Sequence, residues 1–211
     1  MKIEERMKFL DLGRQPIANR FLREDEFDNE FFYDLYVEFD DETKLVSLGE
    51  FISSDMLFNE NYSYYTGSSA PMISHFRMVA DDIMKRNPIS ILEIGSNDGT
   101  FIKNFNRHMV IAVEPCMNFC QTTRDMGYTT YPYFWNRELA DTILNERGNM
   151  DIVYAANCIC HIPDLNLNSR ISSSRLPAGR SQITTSEVFL PRSSRANGEI
   201  QLRNPCSGTA D

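Results

Sequence analysis

The residues best suited to chemistry lie in Glu93-Ile-Gly-Ser-Asn-Asp-Gly99, with Glu114 nineteen residues after Gly95. Two glycines flank Ser96-Asn97-Asp98. Gly95 lets the chain turn sharply as it leaves a strand, and Gly99 lets the backbone and a helix start lie close to a ligand. Exposed N–H groups at such a start attract a carboxylate or phosphate. Glu114, just past the end of the next strand, is placed to accept hydrogen bonds from two ribose hydroxyls. The glycines alone are equally compatible with an ordinary turn. The acidic residue at that place makes a nucleoside site the stronger reading.

This geometry serves NAD and S-adenosylmethionine (SAM) alike. Two details favour SAM. The bend reads E-x-G-x-x-x-G rather than G-x-G-x-x-G, and no third glycine stands at the helix face where a pyrophosphate needs close approach. The cofactor contacts expected are Glu93, Gly95, Asn97, Asp98, Gly99, Glu114 and Pro115, with Asn157 beside the methionine part. Trp135 follows the third strand, where it can stack an adenine or serve as a half-buried core aromatic.

The elements that must position these residues are legible. Phe76, Val79, Ala80, Ile83 and Met84 mark one buried stripe of a helix over 74–86, ended by Asn87-Pro88. Ile89–Ile94 reads as a buried strand, and a helix is expected around Thr100–Asn106. The strand Met109–Val113, a helix near Met117–Met126, the strand Tyr128–Tyr133, a helix near Arg137–Glu146 and the strand Asp151–Ala156 follow. Such alternation implies parallel strands joined by crossover helices. Residues 1–72 are acidic and aromatic, with Phe31–Val37 strand-like in composition and charge clusters at Glu24–Glu30 and Glu38–Glu42 read as solvated faces. Residues 166–211 hold nine serines, six arginines, no lysine and three acidic residues. They are expected to form a poorly ordered tail with one short strand over Gln182–Leu190. The fold class expected is α/β: a partial Rossmann-like SAM-methyltransferase sheet preceded by a small β-rich domain, with segments at 1–72, 73–165 and 166–211.

The formal net charge of -9 argues against nonspecific nucleic-acid binding. No apolar run nears the roughly 20 residues of a membrane helix, and the charged start Met1–Arg6 is unlike a signal peptide. Five cysteines, an odd number, suit reduced thiols in a cytoplasm. Cys158-Ile-Cys-His161 would not converge on a metal if the strand continued, because His161 would face away from both thiols.

Ile91–Phe101, Val113-Glu-Pro115 and Ala156–Leu165 together resemble the sugar C-methyltransferase family. Upstream, Leu10–Asn19 looks like that family's opening motif, and Tyr62–Ser69, with His75 after it, like its linker into the SAM domain. The resemblance runs from about residue 9 to 165. It implies SAM-dependent methylation of a carbon of a nucleotide-linked keto-deoxysugar in the cytoplasm. A proton is removed beside the keto group, and the resulting enolate attacks the methyl in line with the departing sulfur. His161 follows the strand 151–156 at the sheet's carboxyl edge. Position alone favours a histidine bonded to backbone; the match to the family's His-Ile-Pro-Asp motif assigns it to the enolate or substrate. Tyr62 and Tyr64 either close over the sugar, as the family's linker tyrosines do, or pack between domains. His75 is expected to open its helix, either as a cap or as a substrate contact, with the structural role favoured.

Two departures stand out. The family's N-terminal zinc-binding domain carries two cysteine pairs, whereas no cysteine precedes Cys116 here, so a structural zinc is not expected. The likeness also stops at Leu165, before the second half of the SAM domain, a C-terminal domain, and the family's principal base. The expectation is a truncated or split form, active or not. Its last strand, 152–156, is left as an open edge unless a second chain or the tail strand covers it. The alternatives are a SAM-dependent methyltransferase of another small molecule, or a non-catalytic partner module with a methyltransferase fold.

Overall fold

The computed structural model describes residues 6–42, 44–162 and 181–185. The chain forms two compact units, Met1–Tyr64 and Tyr65–Asp211.

The first unit is an antiparallel sheet in the order β1-β2-β3, made of β1 (Arg6–Pro16), β2 (Phe32–Asp40) and β3 (Val46–Leu48). β2 contains the strand-like run of the sequence. β1 lies in a stretch that the sequence marked only as acidic and aromatic, and it shifts register between Lys8 and Leu10 and again between Asp11 and Arg14. Gly13, at φ 69°, allows the second irregularity, and its N–H donates to the Asp11 carboxylate at 2.9 Å. A single helical turn, α1 (Ser54–Leu57), follows.

The second unit holds a parallel sheet of five strands among the described residues. It opens with α2 (Ala70–Met84), four residues earlier than the apolar stripe alone places it. The Ser69 side chain accepts the Met72 N–H, and Pro71 sits in the first turn where its missing N–H costs nothing. His75 therefore lies in the second turn, exposed, and does not open the helix.

β4 (Ile91–Ile94) pairs in register with β5 (Val110–Val113) on one side and β7 (Ile152–Ala156) on the other. Both faces are covered, which is why these strands read as continuous apolar runs. On one face, Phe76, Val79, Ala80 and Ile83 of α2 pack with Ile91, Val110, Ile152 and Tyr154. On the other, Leu139 and Ile143 pack with Leu92, Ile94, Ile111, Val113 and Ala155. These two leucine and isoleucine side chains belong to α4 (Arg137–Arg147), which follows α3 (Met117–Asp125) and β6 (Thr129–Tyr131).

The helix expected around Thr100–Asn106 is a correction. Only a single 3-10 turn, Ile102–Asn104, forms there. The Asn104 side chain donates to the carbonyls of Thr100 and Phe101 at 3.2 and 2.8 Å, and Asn106 starts a new turn by accepting the His108 N–H at 3.0 Å. Asparagine side chains thus compete with the helix for backbone partners. Phe101, Ile102 and Phe105 are buried, which ties this stretch to the core.

β8 (Ser181–Thr185) pairs parallel to β7, from Ile152 opposite Ser181 to Ala156 opposite Thr185. The outer edge of β7 is therefore occupied by the chain's own tail strand, which is one of the two ways of covering it that the sequence allowed. The rest of the tail, including 186–190, lies outside the described residues.

Candidate functional site

The site grows from the carboxyl end of β4. Gly95 (φ 74°), Asn97 (φ 48°) and Gly99 (φ 76°) all adopt the left-handed region, so the chain coils tightly. The N–H groups of Gly95 and Ser96 both donate to the Val113 carbonyl, at 2.8 and 3.2 Å, which fastens the bend to the end of β5. A Cβ on Gly95 would lie 2.9 Å from the Cys158 Cβ, so the residue after β7 closes the bend's other side. A Cβ on Gly99 would lie 3.1 Å from the Thr123 side chain of α3. Gly99 thus allows close approach to α3, where the sequence had suggested a ligand.

Glu114 is buried and aimed at the bend. One carboxylate oxygen accepts the Asn97 N–H at 2.7 Å and the other the Cys116 N–H at 2.9 Å. Burial raises its pKa above the ordinary glutamate value, while the Cys116 and Asn97 N–H groups work against that rise. Pro115 is half-buried between this carboxylate and α3. Glu93 is enclosed completely, and burial, then the charges of Glu114 and Asp98, hold its pKa well above the usual range.

Asn97 and Asp98 do something the sequence did not disclose. The Asn97 side-chain oxygen accepts the Thr66 N–H at 2.9 Å, and an Asp98 oxygen accepts the Gly67 N–H at 2.8 Å. The other Asp98 oxygen takes the Thr100 hydroxyl at 2.7 Å. Gly67 has no room for a side chain, since a Cβ would stand 2.7 Å from Asp98 and 2.8 Å from Thr100. Tyr65, next to this latch, packs edge-on against Phe119 of α3 with ring centroids 4.8 Å apart. Nothing in the spacing pointed to Tyr65, Thr66 or Gly67; the signals were the glycine inside Thr66-Gly-Ser-Ser69 and the likeness of Tyr62–Ser69 to the family's linker.

After β7, Asn157 turns the chain at φ 52° and is exposed. The Cys158 thiol donates to the Ile94 carbonyl at 3.1 Å. Burial, with the Glu93 charge behind it, pushes that thiol up to about 12. His161 closes the 3-10 turn Ile159–His161. Partial burial lowers its pKa, so the imidazole is neutral near pH 7. The strand does not continue through Cys158, which removes the alternation on which the metal argument rested.

Glu93, Gly95, Asn97, Asp98, Gly99, Glu114 and Pro115 therefore gather at the carboxyl ends of β4 and β5, with Asn157 and His161 following β7. Tyr62 and Tyr64 belong to the first unit, where Tyr62 meets Phe58 edge-on and Tyr64 is exposed. Trp135 is buried among Leu92, Ile94, Leu139 and Ile143, which makes it a core aromatic with no face for an adenine.

Residues 3–58 match a family model described as a putative zinc binding domain. C-methyltransferase NovU of Streptomyces niveus is 28% identical over 164 residues, which cover 74% of this chain and 39% of that protein. The chain is similar to a C-methyltransferase. It spans about two-fifths of that relative's length. Among solved structures, the plantazolicin methyltransferase BamL, in complex with a triazolic desmethylPZN analog and SAH, matches at 20% identity and a TM-score of 0.30, covering 41% of this chain and 34% of that one. Residues 3–58 contain neither cysteine nor histidine. No cluster of His, Cys, Asp and Glu suited to a metal occurs among the described residues. The donors present do not fit a structural zinc. No helix is long and apolar enough to cross a membrane among the described residues.

Proposed function

We propose that the second unit binds SAM and forms the cofactor half of a cytoplasmic C-methyltransferase acting on a nucleotide-linked keto-deoxysugar. One observation carries the reading: the Glu114 carboxylate reaches back across the bend opened by Gly95. Its oxygens hold the Asn97 and Cys116 N–H groups and the Cys116 thiol, and the carboxylate keeps lone-pair capacity for a ribose hydroxyl. The buried, unpartnered Oε2 of Glu93 fits a ligand that brings its own donor. SAM supplies an electrophilic methyl group on a positively charged sulfur.

The chain's own groups supply the rest. Gly95 and Asn97 shape the bend, and Glu114 orients the nucleoside. Asn157 stands beside the methionine part. Neutral His161, at the carboxyl edge of β7, can take a proton on a ring nitrogen or donate an N–H to an enolate oxygen. Tyr62 and Tyr64 are proposed to contact the sugar. The likeness to a C-methyltransferase supports the reaction class, and four free thiols among the described residues suit a reducing compartment.

The test is a calorimetric titration of the 211-residue chain with SAM and with NAD, followed by incubation with keto-deoxysugar nucleotides and mass analysis. Saturable SAM binding is expected, and a gain of one methyl group only if this half is active by itself. NAD binding without SAM binding would overturn the proposal.

A further inference from the structure

Residues 65–68 form a strap at the start of the second unit, just ahead of α2. The strap is tied to both arms of the candidate site. On the β4 side, the Asn97 side-chain oxygen accepts the Thr66 N–H and Asp98 Oδ2 accepts the Gly67 N–H, at 2.9 and 2.8 Å. On the β5 side, the Tyr65 ring meets Phe119 of α3 edge-on. Glu114 links the same two arms, because its carboxylate accepts the N–H groups of Asn97 and Cys116. Asn97 is thus a shared residue: its backbone N–H serves Glu114, and its side chain serves the strap. The Asp98 carboxylate is spent inside the protein. Oδ2 holds Gly67, and Oδ1 takes the Thr100 N–H and hydroxyl at 3.2 and 2.7 Å. Of about four lone-pair sites on a carboxylate, little is left for a ligand.

We propose that Asp98 and Gly67 are a positioning pair: they hold the strap on the bend so that Asn97 and Glu114 stand where the nucleoside of SAM requires them, without touching the cofactor. The inference rests on the reading that SAM binds at this bend, and deepens it. Asn97 is fixed from one side by the strap and from the other by Glu114, so order that binding would otherwise have to impose is present beforehand. Coupling of this kind is reciprocal. If a closed latch strengthens SAM binding, bound SAM holds the latch closed by the same factor. The route runs through Glu114, which meets the ribose, so the nucleoside end of the ligand suffices to engage it.

The experiment measures both directions of the coupling on the full chain. Calorimetry gives the SAM affinity of the unaltered chain and of Gly67→Ala and Asp98→Ala, which attack the latch from opposite sides. Both variants should lose affinity by a similar factor, about fivefold or more. Asp98→Asn, which keeps an acceptor for the Gly67 N–H, should recover most of the loss. Hydrogen exchange gives the other direction. Saturating SAM should slow the Thr66 and Gly67 amides of the unaltered chain by about the factor that the variants lose, and saturating adenosine should slow them too. This arm needs no substitution, so it decides the question even where a variant fails to fold. Unchanged affinity in Gly67→Ala, or amides that respond to neither ligand, would overturn the inference and leave the cofactor assignment standing. A loss confined to Asp98→Ala would also overturn it, by making that carboxylate a direct ligand. Absence of SAM binding to the unaltered chain would overturn both readings.

Discussion

Among the described residues of the first unit, Ile17 is the only buried hydrophobic side chain; all the others lie in the second. The first unit leaves Met7, Phe9, Phe21, Phe27 and Phe51 largely exposed. Its order comes from a ladder: β1 and β2 pair from Arg6 opposite Asp40 to Pro16 opposite Phe32. The second unit is ordered by burial on both faces of a parallel sheet. A backbone ladder can hold its shape while side chains vary. A parallel sheet with two covered faces fixes where each strand ends, and strand ends are where the candidate site is built.

The sharpest way to break this contrast is to truncate one aromatic in each unit. Phe101 is buried and stacked on Tyr154 with ring centroids 3.9 Å apart. Phe101→Ala should cost about 3–5 kcal/mol, whereas Phe9→Ala in β1 should stay within about 0.5 kcal/mol, both read by chemical denaturation. Equal costs would mean that the two units are held by the same forces.

A smaller effect tests the latch between Thr66-Gly67 and the bend. Gly67→Ala places a methyl against Asp98 and Thr100 and should break the Gly67 bond at a cost of about 1–2 kcal/mol. Faster hydrogen exchange at residues 66 and 67, with β4 unchanged, is the expected result. Unchanged exchange would show that the latch does not order the segment.

The smallest effect concerns pH and has opposite signs in the two units. Glu93 and Glu114 have folded pKa values above the usual 4.5. The folded second unit therefore binds more protons than the unfolded chain, and their contribution is fullest below 4.5 and declines as pH rises through the raised values. Asp11 is held below its usual 3.8 by its hydrogen bond to Lys8, so the contribution of that pair in the first unit is lost as pH falls. That pair is fully exposed and the effect is slight. Hydrogen exchange across the pH range should show the second unit loosening toward high pH, with Glu93→Gln flattening the slope. A second unit that tightened with rising pH would contradict the assignment of Glu93 as a neutral acid.

What was legible in the sequence follows the same division. β4, β5 and β7 announce themselves as apolar runs because both faces are covered, and Glu114 could be placed by its distance from Gly95. The bend was read correctly as a bend, but the partners of Asn97 and Asp98 were not, since Thr66 and Gly67 are 31 residues away. The missing helix after Gly99 was hidden by asparagines whose side chains take backbone partners. β1 was obscured because Lys8, Asp11, Gly13 and Arg14 interrupt its alternation at the two irregularities.

The central claim is that Glu114 and the Gly95 bend together hold SAM. Its most direct test is a calorimetric comparison of SAM binding to the unaltered chain and to Glu114→Gln. The account predicts saturable binding that weakens at least about tenfold in the variant, the loss of one charge-assisted hydrogen bond. No binding to the unaltered chain, or equal affinity in both proteins, would contradict it.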